Sequence, residues 1–301
     1  MRHLTIVLTT FLLAGPAASA ELTGTLKKVK DSNKIVLGVR DSAPPFSYLD
    51  DKQKIVGYSI DICNRIVDAV KKEIEAPNLQ VQTMPVTSST RIPLMTNGSM
   101  DLECGSTTNN AERQKQVAFT NAHFVSASKF ASRKADKLSK IDDLKGKPVV
   151  SVSGSVNIVQ MNKVNAERNL GASISTAKDV VEAFLVLETG RAAAFVMDDV
   201  QLSVLIAQSK DPAAYAISDE AFGPPEPFGI MLRKDDPPFK AVVDRATADL
   251  YRSPEMTEIY KRWFQSPVPP RGINYNFPMP EALRRAFEKP TDSADPSAYR
   301  S

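Results

Sequence analysis

The chain has 301 residues with 38 Lys and Arg against 35 Asp and Glu, and the net charge of +3 is spread rather than blocked. That balance excludes a nucleic-acid stripe and a polybasic membrane patch. With 2 His and 2 Cys and no cluster of them, no metal site is written in the chain, and nothing in it calls for a cofactor.

Arg2 and His3 precede an apolar run at 4–14, and Ala18-Ser19-Ala20 gives a small-x-small site before Glu21. This is the pattern of a secretory signal peptide, residues 1–20, cleaved after Ala20. Its apolar core is shorter than the roughly 18 residues a membrane span needs, and no later segment reaches that length. No stable membrane insertion is expected, and the remaining length suffices for two domains.

Residues 35–39 form a compact apolar run of strand length, ended by Arg40 and the turn-forming Asp41-Ser42-Ala43-Pro44-Pro45. From 59 to 74, Ile60, Cys63, Ile66, Val67, Val70 and Ile74 recur at helical spacing with charges opposite. Alternation at 79–84 predicts a strand. Thr87-Ser88-Ser89 offers capping hydroxyls for a short helix stopped at Gly98, and 99–104 reads as the next strand. Asn109 with Glu112 is a candidate capping pair for a helix over 111–116. The order β-α-β-α-β-α calls for an α/β fold with a largely parallel sheet.

The pattern restarts with a strand at 148–152, the loop Ser153-Gly154-Ser155 and a helix over 156–168. A helix over 179–188, a strand at 192–197 and a helix over 202–208 follow. Extended crossings are expected at 117–134 and 221–234, and amphipathic helices at 242–251 and 256–263. The chain leaves its first unit, builds a second and returns. The expected lobes are 21–125 with 229–301, and 126–228 including the crossings. The polar tail from Thr291 is expected to be disordered. Cys63 and Cys104, in an exported chain, are either a disulfide or two separate buried thiols.

Ligands of open parallel sheets bind beyond the carboxyl ends of the strands. Those ends carry Arg40, the loop from Gly105 to Asn110 with Ser106 and Thr108, the loop with Ser153 and Ser155, and Asp198. Ser88 and Arg91 open a helix that starts there. Arginine forks, hydroxyls and one carboxylate suit a zwitterion with a further charged group. Each residue also has a plainer reading. Arg40 could pair with Asp41, Asp198 could cap a helix, and Ser106 and Thr108 could be turn residues.

The stretches GVRDSAPPFSYLDD (38–51), TSSTRIPLMTNGSMDLECGSTTNNAERQKQVAFT (87–120), LETGRAAAFVMDD (187–199), FGIMLRKDDPPF (228–239) and IYKRWFQSPVPP (259–270) carry a resemblance. They resemble the periplasmic solute-binding proteins of polar amino-acid ABC importers, and among these the glutamate/aspartate-binding group. The resemblance implies a two-lobed type II periplasmic-binding-protein fold, each lobe a mainly parallel sheet flanked by helices, joined by two hinge crossings. It implies a monomer that closes over one amino acid and hands it to a membrane permease. Arg91, Ser106 and Thr108 would receive the α-carboxylate and Asp198 the α-ammonium. Arg40 and Ser88 would serve the distal group, and the loop from Ser153 to Val156, Ser155 included, would close over it.

Two positions depart from that group, which usually has a histidine where this chain has Val180 and a threonine where it has Val156. Both changes remove polar partners, so another polar or neutral amino acid is an alternative ligand. Two other readings are a sensor that presents its ligand to a receptor and a dehydratase-like enzyme on the same scaffold. The enzyme would need Glu103 or Asp199 as its acid or base.

Overall fold

Why an apolar run as short as 35–39 can organise a whole lobe is plain from its neighbours in the computed structural model, which describes residues 21–299. The strand Lys34–Val39 is buried almost throughout, as a strand covered on both faces must be. It pairs in parallel with Gln80–Pro85 on one side and Leu102–Glu103 on the other. Met231–Arg233 and Val117–Phe119 complete this five-stranded sheet, each pairing antiparallel. The expected signal peptide, residues 1–20, lies outside the described residues.

The helix Tyr58–Glu73 buries the stripe Ile62, Cys63, Ile66, Val67 and Val70 against this sheet and against the helices Pro237–Tyr251 and Pro254–Phe264. Cys63 of that stripe is bonded to Cys104, with a Cα–Cα distance of 6.1 Å. The bond ties the helix to the last residue before the polar loop. It closes 41 residues of chain, which corresponds to about 4 kcal/mol of unfolded-state entropy. Reduction, or joint replacement of both cysteines by serine, is therefore expected to lower the melting temperature by about 10 °C. A change under about 2 °C in a melt with and without reductant would show that the bond contributes little.

The second sheet runs Ser173–Ala177, Pro148–Val152, Ala194–Asp198, Ser128–Arg133, Tyr215–Ile217. Its first three strands are parallel and the last two antiparallel to their neighbours. It has its own apolar cores, one on each face. The two lobes are joined where Phe124–Ser126 pairs antiparallel with Glu226–Phe228.

Several expectations are revised. The crossing at 117–134 is not one extended run, because it gives one strand to each sheet and keeps only its middle for the hinge. The strand at 99–104 shortens to Leu102–Glu103, since the carboxylate of Asp101 accepts from the backbone N–H of Val36 at 2.9 Å. Asn110, not Asn109, caps the helix Ala111–Gln114 by accepting from the N–H of Arg113. The helices Gly24–Ser32 and Glu281–Glu288 were not anticipated.

Over 291–299 the tail is ordered rather than disordered. The carbonyl of Thr291 accepts from the N–H of Ala122, Asp292 pairs with Lys240 at 2.8 Å, and Tyr299 is buried beside Val125 and Ala286. Its polar composition conceals these contacts because each is made to a residue far away in the chain.

Candidate functional site

The carboxyl ends of the two sheets face one another across a narrow cavity of about 10 Å³. Arg40, Ser88, Arg91, Ser106 and Thr108 line it from the first lobe. Ser155, Val156, Asn157, Val180, Met197, Asp198 and Gln201 line it from the second. Of the residues expected from the sequence, only Ser153 is off the wall. It sits where the lobes touch, its Oγ 3.4 Å from Ser89 Oγ.

Arg40 directly follows the strand Lys34–Val39. Its backbone is held on both sides by Ser47, whose hydroxyl accepts from Arg40 N–H at 2.8 Å and donates to Arg40 C=O at 2.9 Å. Its guanidinium makes no hydrogen bond among the described residues and does not pair with Asp41. Burial pushes its pKa down, with the charge of Glu103 opposing. Arg91 is the first residue of the helix Arg91–Thr96. Its Nη1 donates to Thr107 Oγ1 at 2.5 Å and lies 3.9 Å from Glu103 Oε1, while its Nε has no partner among the described residues. Burial, helped by the positive charge of Arg113, pushes the Arg91 guanidinium down to about 9.

The polar loop resolves into two alternating sets. Thr107 C=O and Asn109 N–H face the returning crossing: the former accepts from Gly229 N–H, and the latter donates to Pro227 C=O. Thr108 forms an antiparallel bridge with Phe228. Residues of such an extended segment point alternately to opposite sides. Thr107 donates to Glu103 Oε2 at 2.5 Å, and Asn109 donates to the carbonyl of Asp292 at 2.9 Å. The hydroxyls of Ser106 and Thr108 turn instead to the cavity and bond no other side chain among the described residues.

On the facing wall, Ser155 caps the helix Val156–Glu167, accepting from Ile158 N–H and donating to Val152 C=O at 2.7 Å. Asn157 donates from Nδ2 to Asp198 Oδ1 at 3.0 Å and to Ser128 Oγ at 3.1 Å. Asp198 ends its strand and makes no side-chain cap bond to the following helix. Burial raises its carboxyl to about 7, against the lowering effect of the Asn157 hydrogen bond.

Sequence reasoning missed Arg113, Asn157 and Gln201. Arg113 is buried and bridges the lobes, donating from Nη1 to Thr108 C=O at 2.9 Å and from Nη2 to Gly154 C=O at 3.2 Å. No local signal marks it among the other charges of the AERQKQ segment. Asn157 and Gln201 each follow a recognised strand end by a few residues, which is the one cue that could have raised them.

Three buried guanidiniums, of Arg40, Arg91 and Arg113, thus feel the charge of Glu103, which only Arg91 approaches within 4 Å among the described residues. Glu103 Oε2 accepts from Thr107, and its Oε1 has no hydrogen-bond partner there. Such a site favours a guest that brings its own anionic groups, because buried charge without a partner is costly. The chain is 47% identical over 287 residues to the L-glutamate/L-aspartate-binding protein of Pseudomonas aeruginosa, covering 94% of each. It is 44% identical over 284 residues to the glutamate/aspartate import solute-binding protein of Escherichia coli, covering 93% of this chain and 91% of that one. A variant of the arginine-binding protein ArgBP from T. maritima superposes with a TM-score of 0.72 at 23% identity, over 80% of this chain and all of that one, which shows the shared fold. The sequence pattern of the bacterial extracellular solute-binding proteins, family 3, matches residues 35–266, and this chain belongs to that family.

Proposed function

We propose that the chain captures an acidic amino acid, glutamate or aspartate, by hinge closure in the periplasm and delivers it to the membrane permease of an ABC importer. The observation that carries this is the Arg40 guanidinium, buried on the cavity wall without a hydrogen-bond partner among the described residues. A second carboxylate on the ligand supplies that partner. Arg91 with Ser106 and Thr108 receives the α-carboxylate, Asp198 the α-ammonium, and Arg40 with Ser88 the distal carboxylate. The relatives named for glutamate and aspartate agree with this assignment.

A neutral polar ligand is the second reading, because Val156 and Val180 both line the cavity and offer the distal group no hydrogen bond. The enzyme reading has less support. His123 is buried among Phe46, Tyr58 and Phe228, with its ring pushed down to about 3 by burial. Glu103 is engaged by Thr107, and Asp199 accepts from Ser126 Oγ and Val200 N–H.

A thermal-shift panel of amino acids and dicarboxylates on refolded residues 21–301 tests the assignment. A ligand at 100 times its Kd stabilises by about 2.7 kcal/mol. Shifts from glutamate or aspartate alone support the acidic reading. Silence from both, with a shift from glutamine or asparagine, replaces it with the neutral one.

Protonation of Asp198 supplies a further check. Its folded pKa of about 7 lies above the usual 3.8, so the folded chain binds the extra proton. That contribution to stability is complete below about pH 4 and is lost as pH rises through about 7. An α-ammonium beside Asp198 favours the ionised form. Binding at pH 6 is therefore expected to release up to about one proton, and affinity to rise with pH toward 7. Calorimetry in two buffers of different ionisation enthalpy measures the release, and Asp198→Asn should abolish it. Equal enthalpies in the two buffers would remove Asp198 as the ammonium's partner.

A further inference from the structure

We infer that Gln201 is a specificity-determining contact whose carboxamide hydrogen-bonds the side chain of the captured amino acid in the closed cleft. The inference rests on the amino-acid-capture reading above. Gln201 lies in the first turn of the helix Asp199–Gln208, just beyond Asp198, and lines the cavity. It is 1% exposed, yet neither its Oε1 nor its Nε2 has a hydrogen-bond partner among the described residues. Flipping the amide only exchanges one unpartnered atom for the other. Buried carboxamides are almost always paired, and one left open carries its full desolvation penalty. An open one on a cavity wall is explained by a partner that arrives through the cavity.

The rest of that wall shows what Gln201 adds. Asn157 Nδ2 is taken by Asp198 and Ser128, and the Ser155 hydroxyl donates to Val152 C=O. Val156, Val180 and Met197 have no donor to give, and an ionised Asp198 only accepts. Gln201 Nε2 is thus the uncommitted side-chain donor that the second lobe presents to the cavity among the described residues. The ligand's α-groups are provided for by Arg91, Ser106, Thr108 and Asp198. What remains for Gln201 is a side-chain oxygen, which Arg40 and Ser88 meet from the opposite lobe. Because the Gln201 contact forms only when the lobes close, its energy goes to closure and to choosing between side chains. The matching ligand class is an amino acid whose side chain ends in a carboxylate or carboxamide.

Calorimetry on the refolded mature chain with glutamate, aspartate, glutamine and asparagine compares the natural protein with Gln201→Leu and Gln201→Glu. Gln201→Leu is expected to weaken the bound ligand by about 10- to 100-fold, the worth of a hydrogen bond to a charged group. The melting temperature of ligand-free Gln201→Leu should stay level or rise, since an orphaned polar group has been removed. Gln201→Glu should weaken glutamate more than glutamine, through repulsion between like charges. Gln201→Leu binding within about twofold of the natural protein, for every ligand the latter takes, would overturn the inference. A lower melting temperature with unchanged affinity would also overturn it, by making Gln201 a packing residue. If the natural protein takes none of the four, the acidic-ligand reading fails separately. The same variants are then measured with the amino acid that the panel identifies, and the same loss or retention of affinity decides the role of Gln201.

Discussion

Replacing Arg91 with methionine is expected to weaken amino-acid binding by about 30- to 5,000-fold, the largest loss from any single change in the cleft. Arg91 is 3% exposed, its Nη1 bonds Thr107, and its Nε is open for the ligand. A carboxylate seated there gains charge-assisted bonds in a site with little water to compete. The same substitution strips Glu103 of its nearest positive charge and leaves it the Thr107 hydroxyl. Stability should therefore fall as well, which by itself would confuse the reading. Combining Arg91→Met with Glu103→Gln removes the stranded charge. The double variant is expected to recover stability while remaining unable to bind. Recovery of both would mean that Arg91 holds the fold and that the α-carboxylate sits elsewhere.

The second large effect is expected at Gly154. Its φ is +76°, and a Cβ there would lie 2.7 Å from the backbone N and Cα of Ser89 and 2.8 Å from the carbonyl carbon of Ser88. Those are backbone atoms of the other lobe and cannot be moved aside as a flexible side chain could. Gly154→Ala therefore opposes the closed arrangement directly, whereas an open arrangement meets only the modest cost of a left-handed alanine. Closure also sets Arg113 Nη2 against Gly154 C=O. Affinity is expected to fall by about 10- to 100-fold, with a smaller change in ligand-free stability. Small-angle scattering should show less compaction of the variant at saturating ligand. Full compaction with natural affinity would show that the lobes can close without this approach, and that Gly154 serves only its own turn.

Much of the scaffold was legible because the cues are local. The periodicity of Ile60, Cys63, Ile66, Val67 and Val70 needs only the helix itself, and the run at 35–39 needs only a strand buried on both faces. Strand ends then named Arg40, Ser106, Thr108 and Asp198, because the position of a site follows from the direction of parallel strands. The bounds were less secure. Asn109 and Asn110 are equally good caps by composition, but Asn109 is committed elsewhere: its Oδ1 accepts from Gln114 Nε2, its Nδ2 donates to Asp292 C=O and its N–H to Pro227 C=O.

Sequence by itself determined the α/β class, the return of the chain to its first lobe and the strand ends that carry the polar residues. Tertiary structure decided which polar residue faces which way. Ser106, Thr107 and Thr108 are chemically alike in sequence. Pairing of the loop with the crossing near Phe228 turned the outer two to the cavity and the middle one to Glu103. Arg113 came to bridge the lobes, Asn157 and Gln201 reached the cavity wall, and residues 291–299 became ordered, because distant parts of the chain were folded together. Periodicity records which face of an element is apolar, since burial repeats along it. The partner of one polar group is a single long-range event that leaves no repeat in the sequence.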